Sequence, residues 1–201
     1  MIKLYDHPLS GNCYKVRLAL TQIEVPFERV NVDIFKGEQF SAEFAALNPN
    51  RKIPVLVDGD FVMWESNGIL LYVGKRFAPN RLYSEDPKVF GMITQWLFFG
   101  KTTLDAFLAR ARFFTRFVPE GSRDEKELAS LREAGRAALQ ILDDHLKKND
   151  FLAGSYSIAD IACYAYTHLA EEGGVSLFPF KSVQSWLERV HLEPGYVSME
   201  D

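Results

Sequence analysis

Cysteine is scarce in this chain: there are two in 201 residues, Cys13 and Cys163. They lie far apart and form no CxxC, so neither a disulfide framework nor a zinc-binding cysteine cluster is expected, and a reducing cytoplasm is the simplest setting. The four histidines, His7, His145, His168 and His191, follow no ligand spacing, and no metal is expected. Positive charge is not in excess. The chain has 23 Lys and Arg against 27 Asp and Glu, a formal net charge of −4, which argues against a nucleic-acid partner. No apolar run reaches the roughly 18 residues that a membrane span needs. The start, "MIKLYDHPLS", lacks the apolar stretch of a secretory signal. No P-loop and no GxGxxG occurs, so nucleotide binding has no support.

What remains is a chain of ordinary globular composition, 47% apolar and 25% charged, long enough to bury a substantial core. Its texture changes near residue 80. Before that point strand-like and helix-like runs alternate: "IKLY" reads as a strand, and Asn12 to Gln22 as a helix with Val16, Leu18 and Ala19 at helical spacing. "PFERVNVDI" reads as a second strand, "SAEFAAL" as a short helix, and "IPVLV" and "FVMW" as a hairpin around "DGD". "SNGILLYVGKRF" closes this half as a helix. After residue 86 the patterning is helical throughout. "PKVFGMITQWLFFGKTTLDAFLARARFF" and "RDEKELASLREAGRAALQILDDHLKK" read as two long helices, and "SIADIACYAYTHLA" and "KSVQSWLERV" as two shorter ones. The expected organisation is an α/β domain over 1–78, a linker over 79–87 and an all-helical domain over 88–201. "SIAD" at 157–160 has the form of a capping box and carries a folding role only.

The order βαβ, short helix, ββα with a proline opening the third strand is that of a thioredoxin-like domain. That proline is Pro54, in "RKIPVLVDGD". On local grounds alone a trans bond at a strand edge is the commoner state; a cis bond would offer the backbone groups of Ile53 to a peptide-like ligand. Four stretches in order, "SGNCYKVRLAL", "NPNRKIPVLVDGD", "WESNGILLYV" and "FLAGSYSIADI", resemble the glutathione S-transferase family over essentially the whole chain. The resemblance implies a thioredoxin-like N-terminal domain and an all-α C-terminal domain. It further implies a cis bond before Pro54, a homodimer, and glutathione bound as co-substrate to the first domain.

It also implies a site. Glu65 and Ser66 match the family's acidic residue–serine pair, which holds the γ-glutamyl end of glutathione. Independently, Ser66 can cap the helix that follows, and a helix N-terminus receives a carboxylate. Lys52 and Ile53 match the pair before the cis proline: Ile53 would pair with the cysteinyl unit through its backbone, and Lys52 with the glycyl carboxylate. Gln39 falls where plant-type relatives carry a histidine toward the glycyl end, and Phe40 stands where they carry a lysine. This departure makes the glycyl contacts the least defined part of the site.

The turn "LSGNCYKV" holds three candidates for work on the thiol. An ordinary thiol with pKa near 8.5 is mostly protonated at neutral pH, and a donor aimed at the sulfur beside a helix N-terminus favours the thiolate. Ser10 leads as that donor. Asn12 shares the assignment, either capping the helix or pointing its amide at the sulfur. Cys13 would instead form a mixed disulfide, as in omega- and beta-type members. Registering "VRLAL" on those branches sets Ser10, not Cys13, at the omega-type cysteine, so Cys13 reads as a small buried residue. Lys15 and Arg17 are expected on the outer side of the helix. An acceptor pocket is expected between the domains, lined by some of Phe98, Phe99, Phe107, Arg110, Phe113 and Phe114.

The expected activity is conjugation of the glutathione thiolate to an electrophilic, hydrophobic small molecule, as in detoxification. The alternatives are a glutathione-dependent isomerase, a thiol–disulfide or peroxide-reducing enzyme, or a non-catalytic interaction module on the same fold.

Overall fold

Inward-facing Ile2, Leu4 and Asp6 alternate with outward positions along β1 (Ile2–Asp6), as expected of a strand with one face on a core. The computed structural model describes residues 1–200, and in it β1 is an interior strand of a four-stranded sheet ordered β2-β1-β3-β4. β2 (Phe27–Asn31) runs parallel to β1, which requires a crossover, and α1 (Gly11–Gln22) supplies it. β3 (Val55–Asp58) is antiparallel to β1, and β4 (Phe61–Trp64) is antiparallel to β3. The turn between them pairs Asp58 with Phe61, and Gly59 at φ +65° provides the left-handed backbone it needs. α2 (Ala42–Leu47) is capped by Ser41, whose hydroxyl accepts from Phe44 N. α3 (Ser66–Arg76) follows β4.

The pleat divides the core. Leu4 and Leu56 are register partners and join Ile2, Val16, Leu20, Ile69 and Val73 between the sheet and α1 and α3. Their neighbours Tyr5 and Val55 belong to the opposite face, with Val32 and Phe44 under α2. Each fully buried aliphatic side chain of this kind contributes about 1.5–3 kcal/mol.

The expectation that Lys15 and Arg17 lie on the outer side of α1 is corrected. Lys15 is 0% exposed and Arg17 2%. Helix α1 is covered all round, because the segment from Pro194 onward returns to this unit. Tyr14 Oη donates to Val197 O at 2.8 Å, and Arg17 to Met199 O at 2.9 Å. Arg17 is neutralised by a bidentate pair with Asp6, at 2.7 and 2.9 Å, and Arg29 donates to the same carboxylate.

The first compact unit is therefore Met1–Tyr83 with the segment from Pro194, and the second is Ser84–Glu193. Tyr83 packs so closely on Gly74 that a Cβ there would lie 3.1 Å from Tyr83 Cβ. In the second unit α4 (Pro87–Phe99) and α5 (Asp105–Phe117) are joined by a π-helical stretch, Gly100–Leu104, into one long helical run. The widening falls where α4 meets α7 (Ile158–Thr167): a Cβ on Gly100 would lie 3.2 Å from Cys163 Sγ, and Cys163 Sγ donates to Trp96 O. α6 (Glu125–Leu146) and α8 (Lys181–His191) complete the bundle.

The capping box at the start of α7 is present, and it reaches beyond its own helix. Ser157 Oγ accepts from Ala159 N, and Asp160 Oδ2 accepts from Ser157 N at 3.0 Å. Asp160 Oδ1 also accepts from Leu152 N and from Trp186 Nε1 of α8, each at 3.0 Å. One fully buried carboxylate thus ties the α7 start to the loop before it and to the last helix.

Candidate functional site

Strand register gathers the candidate residues at one end of the sheet. Tyr5 pairs with Val55, and Val55 with Trp64. The exit of β1 toward Ser10, the entry of β3 from Pro54 and the exit of β4 into Glu65 therefore lie side by side. The Ile53–Pro54 bond is cis, and Ile53 packs beside Val32, Phe44 and Val55.

At the head of α1, Ser10 is the N-cap and its Oγ accepts from Cys13 N at 3.3 Å. Capping thus falls to Ser10 and not to Asn12, which lies inside the first turn. As an acceptor in that bond, the Ser10 hydroxyl retains its proton for another partner. Asn12 Oδ1 accepts from Ser66 Oγ at 3.0 Å and from Lys15 Nζ at 3.1 Å. The contact with Ser66 joins the starts of α1 and α3, which are 54 residues apart in sequence.

At the head of α3 the N-cap residue is Glu65, with no side-chain cap bond, and Ser66 is the first helical residue. The expectation that the Ser66 side chain caps α3 is corrected: its hydroxyl is buried and turned to Asn12. Glu65 has φ +73°, a conformation that costs a non-glycine residue energy and that clusters at functional sites. The first turn carries no side-chain cap, and a helix N-terminus is a place where an anion is received.

Gln39 and Lys52 are not joined to this group by any hydrogen bond or ion pair. Gln39, in a short 3-10 turn (Glu38–Phe40), donates to Ile34 O at 3.4 Å, and its buried Oε1 has no partner among the described residues. Lys52 is exposed, and its carbonyl accepts from Asn48 Nδ2 at 2.7 Å. Cys13 is fully buried, and desolvation, with Asp6 adding to it, pushes its thiol far above the ordinary cysteine range. Such a thiol is inert. In the helical unit, Phe98 and Phe113 are exposed, Phe107 and Phe114 pack on Ala111, Leu128 and Leu131, and Arg110 is paired with Glu127.

The residues that sequence reasoning missed are Lys15 and Asn67, whose side chains meet beneath the site: Lys15 Nζ donates to Asn67 Oδ1 at 3.4 Å. A signal for Lys15 was present, since i and i+3 share a helix face and Asn12 stands three residues before it.

Comparison with known proteins identifies the family. Residues 1–75 match the glutathione S-transferase N-terminal domain, and residues 93–194 match the glutathione S-transferase C-terminal domain. The chain is 31% identical to glutathione S-transferase theta-3 of Mus musculus, covering 96% of this chain and 83% of that protein. It is 29% identical to the disulfide-bond oxidoreductase YfcG of Escherichia coli, covering 97% and 92%. Among solved structures, a glutathione S-transferase from Pseudomonas fluorescens is 38% identical with a TM-score of 0.94, covering 100% of this chain and 99% of that one. A glutathione transferase from Pseudomonas putida, solved with one glutathione disulfide bound per subunit, is 29% identical with a TM-score of 0.88, covering 96% and 88%. With both domains matched in order and relatives above 30% identity over nearly its full length, this chain belongs to the glutathione S-transferase family.

Proposed function

We propose that the protein is a glutathione transferase whose first unit binds glutathione across the heads of α1 and α3. The observation that carries this reading is the hydrogen bond between Ser66 and Asn12, which ties the heads of two helices remote in sequence into one polar cluster. Glu65 accepts from the γ-glutamyl ammonium, and the uncapped start of α3 receives the α-carboxylate. Ile53 pairs with the cysteinyl unit through its backbone, beside Pro54, and Lys52 and Gln39 serve the glycyl end. Ser10 donates its hydroxyl to the sulfur, with the Asn12 amide as a second donor. The thiol gives its proton to solvent, and the thiolate attacks the acceptor. With an aryl halide a sulfur–carbon bond forms and halide leaves with its electron pair; with an activated alkene the sulfur–carbon bond forms while the displaced π pair takes a proton. The site's contribution is anion stabilisation and positioning.

Glutathione at millimolar concentration is expected to raise the melting temperature, because a ligand that binds only the folded state stabilises it by mass action. Glu65→Ala is expected to lose most of that shift. A full shift in the variant removes Glu65 from the site. Turnover with aryl halides, activated alkenes and peroxides identifies the acceptor class.

A disulfide-reducing activity is the second reading, favoured by the likeness to the Escherichia coli oxidoreductase. With Cys13 buried, the attacking thiolate in that reading is also glutathione's, and the test is reduction of a small disulfide.

The working form we propose is a cytoplasmic homodimer. No described helix is long and apolar enough to cross a membrane. Sedimentation equilibrium at micromolar concentration is expected to return twice the 22.9 kDa chain mass, and a clean monomer mass would count against the dimer.

A further inference from the structure

Lys15 fills space that a methionine of similar length could fill without the cost of burying an ammonium. Its placement has a specific consequence for Asn12. An ammonium donates hydrogen bonds and accepts none, so at 3.1 Å it holds the oxygen of the Asn12 carboxamide, not the nitrogen, toward itself. Ser66 adds a second donor to the same oxygen at 3.0 Å. Flipping the amide would set N–H2 against the ammonium, which cannot accept, whereas the Ser66 hydroxyl could turn to accept from it. The orientation is therefore fixed by Lys15. Asn12 Nδ2, in contrast, has no hydrogen-bond partner among the described residues, and it belongs to the half-buried face of the first turn of α1.

We infer that Lys15 is a positioning residue: it locks the Asn12 carboxamide with its N–H2 group presented to the glutathione sulfur, and it sets a buried positive charge one hydrogen bond behind that donor. The inference rests on the glutathione reading above and adds to it how the second donor is oriented and polarised. The other charged or titratable groups at these two helix heads and at the end of β1 are Tyr5, Asp6, His7, Cys13, Tyr14, Arg17 and Glu65, with Arg29 reaching Asp6 from β2. Asp6 is paired with both Arg17 and Arg29, and Cys13 is held neutral by burial.

The test uses Lys15→Met, which removes the donor and the charge and keeps the bulk. In 15N-labelled protein without ligand, the Asn12 side-chain amide is expected to give one narrow pair of signals in the wild type. In the variant the pair broadens or doubles, as both orientations become accessible. With glutathione bound, the ultraviolet thiolate absorbance is expected to titrate roughly 0.5 to 1 pH unit higher, and kcat/KM near neutral pH to fall about threefold to tenfold. In an Asn12→Ala background the same substitution is expected to add little, since the route through Asn12 is gone.

Lys15→Gln keeps a donor for Asn12 without the charge, and guards against misfolding of the methionine variant. It is expected still to raise the thiol titration, whereas its own carboxamide can donate to or accept from Asn12 and so fixes the amide less strictly than the ammonium does. Unchanged amide signals with an unchanged titration in Lys15→Met overturn the inference, as does full additivity with Asn12→Ala. Failure of glutathione to bind the wild type is a separate result: it overturns the transferase reading and this role of Lys15 together, whereas intact wild-type binding with an unmoved variant overturns the role alone.

Discussion

Ser10→Ala is expected to lower kcat/KM for glutathione conjugation by roughly tenfold to a hundredfold, the equivalent of one hydrogen bond to a charged group, about 1.5–3 kcal/mol. The bond is made chiefly with the anion, so the loss appears in the chemical step and the bound thiol titrates at higher pH. The same hydroxyl caps α1 by accepting from Cys13 N. The substitution should therefore also cost about 1 kcal/mol of stability, read independently in a melting curve. Cys13→Ala separates the thiol mechanisms. A thiol buried among Asp6, Ser10 and Arg17 and held protonated takes no part in conjugation, so this variant should keep near-normal turnover with a modest packing loss. Activity abolished by Cys13→Ala and untouched by Ser10→Ala would establish mixed-disulfide chemistry in place of the proposed donor.

Asp160→Ala is expected to destabilise the protein by about 3–5 kcal/mol, enough to remove a large share of a marginal folding free energy. The substitution leaves Leu152 N, Ser157 N and Trp186 Nε1 buried without their acceptor, and each lost partner carries a desolvation penalty. Asp160→Asn keeps the shape, yet it must point an N–H2 at one of those donors, so it recovers only part of the loss. Burial pushes the Asp160 carboxyl up to about 6 from its usual 3.8. Between those values the folded chain binds a proton that the unfolded chain does not, so this group's contribution to stability grows as pH falls through 6. The dependence should be absent in Asp160→Asn. Urea unfolding at pH 5 and pH 7 measures both effects, and a loss below 1 kcal/mol in the alanine variant would remove Asp160 from its linking role.

Much of this molecule is legible along the chain. Alternation in "IKLY", the helical spacing of Val16, Leu18 and Ala19, and the "DGD" turn each depend on neighbours a few residues away, and local patterns of that kind survive into the fold. The capping box at Ser157 and Asp160 is of the same sort: two side chains and two backbone N–H groups within four residues complete it. The cap of α1 is less legible: the sequence offers Asn12, and the structure gives the cap to Ser10, with the helix beginning at Gly11.

The remainder depends on what lies across space. Lys15 and Arg17 read as surface charges because nothing near them in sequence could neutralise them. Asp6 sits on the strand before, Asn67 on a helix 52 residues later, and the covering carbonyls of Val197 and Met199 at the far end of the chain. Ser66 reads as a cap because a serine before a helix usually is one. Only the arrival of Asn12 at 3.0 Å turns its hydroxyl to another task. The amino-acid order by itself determined which segments are strands and helices, and the capping box that opens α7. Tertiary packing decided which charges are buried and which partner the Ser66 hydroxyl takes, because a hydrogen bond between distant segments exists only once the sheet has set their ends side by side.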